Sequence, residues 1–109
     1  MEIALVQQIY EQLLIIGCCK NRSEFSAEWL GMNQSYYRSA MARHEIVGVR
    51  AQVHLIATLR NVGMSFARSD FDFVVAKGHI MIDLHARLLE ELFDRVIADA
   101  QVTPLGWDG

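Results

Sequence analysis

The thirty residues FDFVVAKGHIMIDLHARLLEELFDRVIADA, from Phe71 to Ala100, contain no proline and return their apolar side chains at the interval of a helix. Alternation over Phe71 to Val75 offers a brief strand. Met81, His85, Leu88, Leu89, Leu92, Phe93 and Val96 then hold one side over several turns, which only a helix achieves. The pattern predicts one long helix, disturbed at most at Gly78. Asp83 with Arg87 and Glu91 with Arg95 pair opposite charges four residues apart, while Glu90 and Asp94 repel. Each pair contributes only about a few tenths of a kcal/mol, so apolar packing has to hold this segment. Residues 79–100 are therefore expected to form a core or dimerisation helix, with the Leu88, Leu89, Leu92, Phe93 and Val96 surface burying against a twin in a homodimer.

The same period recurs upstream. In EIALVQQIYEQLLIIGCC, Ile3, Val6, Ile9, Tyr10, Leu13 and Ile16 form a broad apolar face, with Gly17 near its end. Lys20-Asn21-Arg22 then breaks the pattern, and Ser23 is expected to cap the next helix. From Glu45 to Arg68 a central helix is expected, its inward side tracked by Ile46, Val49, Val53, Ile56 and Ala57. Arg50, His54, Thr58, Asn61 and Ser65 track the other side. Gly48 and Gly63 interrupt it at about 1 kcal/mol each relative to alanine. Pro104 and Gly106 favour termination after the last helix. At 109 residues and 12.4 kDa there is room for one domain. The expectation is an all-α, compact four-to-five-helix domain over residues 1–109.

Several function classes lose support at this level. The longest apolar run, LLIIGCC, is far short of the roughly 20 residues that cross a bilayer, and Met1-Glu2 is not a basic leader, so a soluble cytoplasmic protein without membrane contact is expected. Cys18 and Cys19 are adjacent and read as reduced core thiols. No phosphate-cradling glycine loop, HExxH or GxSxG string is present, and no residues stand at metal-ligand spacing. No catalytic activity, cofactor or metal is therefore expected. His44, His54, His79 and His85 join no nucleophilic or metal constellation, and His85 reads as a hydrogen-bonded core or interface residue. Met32, Met41, Met64 and Met81 read as adaptable packing. Asp70 and Asp72 read as solvating a helix start.

Charge is distributed unevenly. The net charge is −3, but residues 20–68 carry seven basic against three acidic residues, and residues 69–109 carry three against eight. A phosphate-bearing partner can meet a basic middle whatever the total, because docking responds to local charge.

The sharpest constellation lies in that middle, SEFSAEWLGMNQSYYRSAMAR, residues 23–43. Ala27, Gly31 and Asn33 stand where a small residue would separate two packed helices, a compact one would sit in their turn, and a polar one would cap the second helix. The segment resembles the helix-turn-helix of small bacterial and phage repressors, with Leu30, Met32, Tyr37 and Ala40 at apolar positions of that family. Ser26 is more polar than its usual counterpart there, and Phe25 and Trp29 are bulkier. FSAEWLGMNQSYY also looks like a set of small uncharacterised bacterial proteins that share an F-S-x-x-W-L-G phrase, a likeness that supplies no activity.

The repressor resemblance implies a double-stranded DNA partner and a regulatory role, transcriptional or phage-related. It places Asn33, Gln34, Ser35, Arg38 and Ser39 on the exposed face or leading end of a recognition helix, with Ala42 and Arg43 near its end. Gln34 can donate and accept at a base edge, Arg38 can grip guanine or a phosphate, and Asn33 or Ser35 can meet backbone oxygens. Arg22, Arg43 and Arg50 can supply positioning charge. The plainer reading is a solvated polar helix face, which periodicity alone also produces. Phe25 and Trp29, four residues apart, read either as core or as an exposed anchor for a protein partner. That anchor, or the acidic C-terminal face, is the basis of the alternative function, a helical interaction module acting as an inhibitor or assembly factor. Of Tyr36 and Tyr37, one should enter the helix interface and the other face outward, where Tyr36 could stack on a base.

Overall fold

The structure, a computed structural model describing residues 3–43 and 47–100, is helical in every regular element. Helix α1 (Ile3–Ile15) precedes α2 (Arg22–Glu24), which continues into a π-helical turn (Phe25–Trp29). Helices α3 (Tyr36–Arg43), α4 (Val49–Ala67) and α5 (Asp72–Ala100) follow. The all-α expectation holds, and the alternation at Phe71 to Val75 belongs to the approach and first turn of α5. His44, Ile46, the proposed start at Glu45, and Pro104 and Gly106 lie outside the described residues.

Helix ends follow local chemistry. Gly17 closes α1 in the left-handed region at φ +77. Its N–H donates to the Leu14 carbonyl and that of Cys18 to Leu13, so two otherwise orphaned carbonyls are satisfied. The cap expected of Ser23 belongs to Asn21, whose Oδ1 accepts the Glu24 N–H at 2.8 Å. The polar break thus supplies the cap two residues earlier than expected.

Helices α4 and α5 form an antiparallel hairpin. Gly63 and Gly78 let the two backbones nearly touch: a Cβ on Gly78 would stand 2.6 Å from the Gly63 carbonyl oxygen and 2.6 Å from the Ala67 nitrogen. One heptad along, the His85 Nδ1 donates to the Ile56 carbonyl at 3.3 Å, the hydrogen-bonded role expected of that histidine. The buried side of α4 is Ala51, Gln52, Leu55, Ile56, Leu59 and Gly63. Val49, Val53 and Ala57, expected inward, are exposed, and of the described members of that set only Ile56 is buried. Both stripes of α4 are apolar, so hydropathy could not choose between them. The glycine contact with α5 did. On α5, Met81, Leu84 and Leu88 are buried, while Leu89 and Phe93 are exposed. The expected dimer surface is therefore divided, with Leu88 already used by the chain itself. The side chain of Val96 lies outside the described residues.

The other helices form a second layer over the inner side of this hairpin. Val6, Ile9 and Leu13 of α1 are buried, and three rings join α1, the π-helical turn and α3. Tyr10 lies 5.1 Å from Phe25 and 5.2 Å from Tyr37, and Phe25 meets Tyr37 edge-on at 4.9 Å. Such tilted and edge-on pairs add to the burial of each ring. Phe25 and Trp29 are both core residues, at 0% and 4% exposure, so the reading of this pair as an exposed anchor is corrected.

Burial holds the Tyr37 phenol up at about 12 from an ordinary 10.0, with Arg22 opposing the rise and Tyr10 and Glu11 adding to it. Burial likewise lifts the Cys19 thiol from 9.0 to about 11. Both groups keep their protons longer in the fold than in the unfolded chain. The native state therefore binds more protons above pH 9.0, and stability declines as pH rises. Urea midpoints are expected to hold level below pH 9.0 and to fall between there and about 12, with Tyr37→Phe removing the upper part of the fall. A midpoint that stays level across that window would contradict the buried placement.

Candidate nucleic-acid interface

Four hydrogen bonds fix the start of α3 before any of its exposed residues can act. Asn33 Oδ1 accepts the Ser35 N–H at 3.0 Å and the Ser35 hydroxyl at 2.9 Å. Its carbonyl accepts the Tyr36 N–H at 3.1 Å, so Asn33 caps the turn into α3 as its position suggested. The next free N–H of the helix start, that of Tyr37, donates to the buried Ser26 Oγ at 2.8 Å. Ser26 is the departure from the usual apolar residue, and its hydroxyl satisfies a donor that no intrahelical carbonyl reaches. Ala27, expected to separate the two helices, is exposed, and the adjacent Ser26 takes the inward place.

The turn itself is pinned from α4. Gly31 has φ +66, and the His54 ring fills the space where a side chain would begin, 2.5 Å from an ideal Cβ. His54 Nδ1 lies 3.1 Å from the Trp29 carbonyl. A carbonyl only accepts, so this nitrogen carries the proton. The Thr58 hydroxyl donates to the His54 carbonyl at 2.8 Å and stays within α4. At the far side, the Tyr36 hydroxyl accepts the Gly48 N–H at 3.0 Å, tying α3 to the start of α4. The two tyrosines divide as expected, with Tyr37 buried and Tyr36 half-buried. The Tyr36 hydroxyl is committed to that tie.

Gln34, Ser35 and Arg38 are exposed together at the leading end of α3, and Arg43 is exposed in its last turn. Ser39 is half-buried on the flank, and Asn33, although exposed, spends its side-chain oxygen on the cap. Tyr37 and Ala40 are buried on the opposite side, as are Leu30 and Trp29 before the turn, while Met32 is half-buried. Arg22 and Arg50 are exposed on neighbouring elements. The turn into a short helix thus presents one amide, and the first turn of that helix one guanidinium, from a mount held by a buried serine and a buried tyrosine. Nothing in the sequence had marked Ser26 or His54 as positioning residues. The only available signal was Gly31, whose place in a turn predicted a close approach without saying to what.

A groove of about 470 Å³ runs between α1 and α5, with Leu5, Ile9, Ile80 and Leu84 as apolar walls and Glu11, Asp83 and Arg87 among its polar ones. It contains none of the candidate DNA-contacting residues. Among the described residues no group of three or more His, Cys, Asp or Glu could hold a metal ion, and no helix is long and apolar enough to cross a membrane.

The profile of a family of unknown function (DUF6626) matches residues 6–101. No curated protein and no solved structure matches the chain.

Proposed function

Because this chain belongs to the DUF6626 family, which carries no assigned activity, its role has to be argued from its own surface, and we propose that it binds double-stranded DNA as a non-catalytic regulator, transcriptional or phage-related. The observation that carries the reading is the joint exposure of Gln34, in the turn that leads into α3, and Arg38, in its first turn, while Tyr37 beside Arg38 is fully buried and its N–H is held by Ser26. Groove reading needs a rigid helix whose outward side chains can be both donors and acceptors, and a mobile helix would dissipate the contact energy in ordering. Arg22 and Arg43 supply charge for phosphates on either side, which fixes register. Gln34 and Arg38 supply contacts to base edges, and Ser35 and Ser39 line the approach. The rival reading, a helical interaction module, loses the Phe25 and Trp29 surface because both side chains are in the core, and keeps the acidic C-terminal face.

The test is selection from a random duplex pool by the full chain at several salt concentrations, run beside Arg38→Ala and Arg38→Lys. Wild type is expected to enrich a defined sequence, with affinity falling as salt rises. Arg38→Ala is expected to lose about 1–3 kcal/mol, roughly 5- to 150-fold, and Arg38→Lys to keep phosphate attraction but blur the preference at one base pair. Absence of any enrichment by wild type at low salt would sink the reading.

A further inference from the structure

The second layer covers one side of the α4–α5 hairpin, and the opposite side is not the polar surface that a two-layer domain should turn to water. Its composition follows from the register. Gly63 backs onto Gly78, and seven residues back on α4 the Ile56 carbonyl meets His85, seven residues on along α5. The next heptad sets Val49 level with Leu92 and Phe93, and Val53 level with Leu88 and Leu89. Of these, Leu88 points into the core. Val49, Val53 and Phe93 are 65%, 50% and 59% exposed, and Leu89 is exposed beside them. Four apolar side chains from two helices therefore meet on the outside of the hairpin, with Ile97 extending the patch past the start of α4.

Beside Val49 and Phe93 the bordering charges are sorted by helix. Each residue turns a helix by about 100°, so Arg50, next after Val49, stands on the edge of α4 away from α5. Glu90 and Asp94, next after Leu89 and Phe93, stand on the edge of α5 away from α4. All three are exposed. Asp83, one heptad before Glu90, continues the acidic edge of α5, with the exposed Arg87 four residues on from it. Arg50 also stands in the first turn of α4, where the helix dipole disfavours a cation, so its charge is not there for the helix.

We propose that this face binds the same face of a second copy of the chain, about a two-fold axis parallel to the helices, so that α4 of each copy lies over α5 of the other. That axis closes a four-helix bundle over the apolar patch and places each basic edge against an acidic one, Arg50 against Glu90 and Asp94. The perpendicular two-fold would lay α4 on α4 and α5 on α5, setting base against base and acid against acid. The complementarity of Arg50 with Glu90 and Asp94 therefore selects both the occupant and its orientation. The dimer does not depend on the DNA reading. It replaces the surface expected from sequence by one that adds Val49 and Val53 and omits Leu88.

The test is the mass of the full chain by analytical ultracentrifugation across concentration and salt, with no DNA present. Wild type is expected to move from 12.4 kDa toward twice that mass as concentration rises. Val53→Asp and Phe93→Asp replace exposed side chains, so each should keep the helical circular dichroism of wild type and lose the dimer. Arg50→Glu or Asp94→Arg alone should weaken association by about tenfold or more, and the two together in one chain should restore it. A mass of 12.4 kDa at every concentration would overturn the proposal and leave the face to another protein or to residues 101–109. Indifference of the dimer to Phe93→Asp, or failure of the charge exchange to restore it, would overturn it as well.

Discussion

Replacing Gly78 with alanine is expected to remove about 3 kcal/mol of stability and to lower the melting midpoint by on the order of 10–20 °C. On an exposed helix the same change would gain about 1 kcal/mol, because alanine loses less backbone entropy than glycine. Here the gain is overridden. The added methyl would stand 2.6 Å from the Ala67 nitrogen and the Gly63 oxygen and 3.0 Å from the Phe66 carbonyl carbon, all backbone atoms of α4. Backbone cannot rotate aside as a side chain can, so the helices must separate, and Met81, Leu84 and Leu88 lose their packing together. Gly63→Ala should cost less, since its methyl would meet Met81, Ile82 and the Gly78 oxygen at 3.0–3.1 Å, and two of those neighbours are side chains. Urea denaturation of the two variants checks the ranking. If Gly78→Ala were as stable as wild type, the two helices could not be as close as described.

Gly31→Ala should cost about 2–4 kcal/mol, and its two causes can be separated. A left-handed conformation costs an L-residue about 1–2 kcal/mol wherever it occurs. The remainder arises from the His54 ring, whose Cδ2, Cγ and Nε2 would lie 2.5–2.8 Å from the new methyl. In a double-mutant cycle, His54→Ala on its own should cost the bond to the Trp29 carbonyl and its packing. In the Gly31→Ala background it should cost much less, with a coupling of about 1 kcal/mol or more. Additive losses would mean that the ring does not bear on the turn. Since this turn carries the start of α3, Gly31→Ala is also expected to weaken DNA binding where the chain remains folded, without touching Arg38.

Most helices were legible because their causes are local. The apolar period of α1, the glycine at its end and the long proline-free run of α5 each lie within a few turns of sequence, and each predicted its element. Asn33 was likewise readable as a cap, since a cap acts two or three residues away. Local reasoning erred where two local candidates competed. Ser23 and Asn21 are both capping types, and only the backbone path showed that Asn21 accepts the Glu24 N–H. Ala27 and Ser26 are both small, and the π-helical turn brought the serine inward.

The candidate interface divides in the same way. The exposure of Arg38 follows from the spacing of Tyr37 and Ala40 on the other side of one short helix, and that of Gln34 and Ser35 from their place in the polar turn before it. The parts that hold that helix do not follow, because Ser26 to Tyr37 and Gly31 to His54 are contacts between residues far apart in the chain.

By itself the sequence determined that this protein is built of helices, which segments broadly form them, and which segment is basic. Those properties depend on hydrogen bonds and periodicities a few residues long. Only the tertiary structure decided which of two apolar stripes on α4 is core, which aromatic residues are hidden, and where an apolar surface is left over. A stripe is buried only relative to a neighbour, and the neighbour was chosen by the glycine contact between α4 and α5.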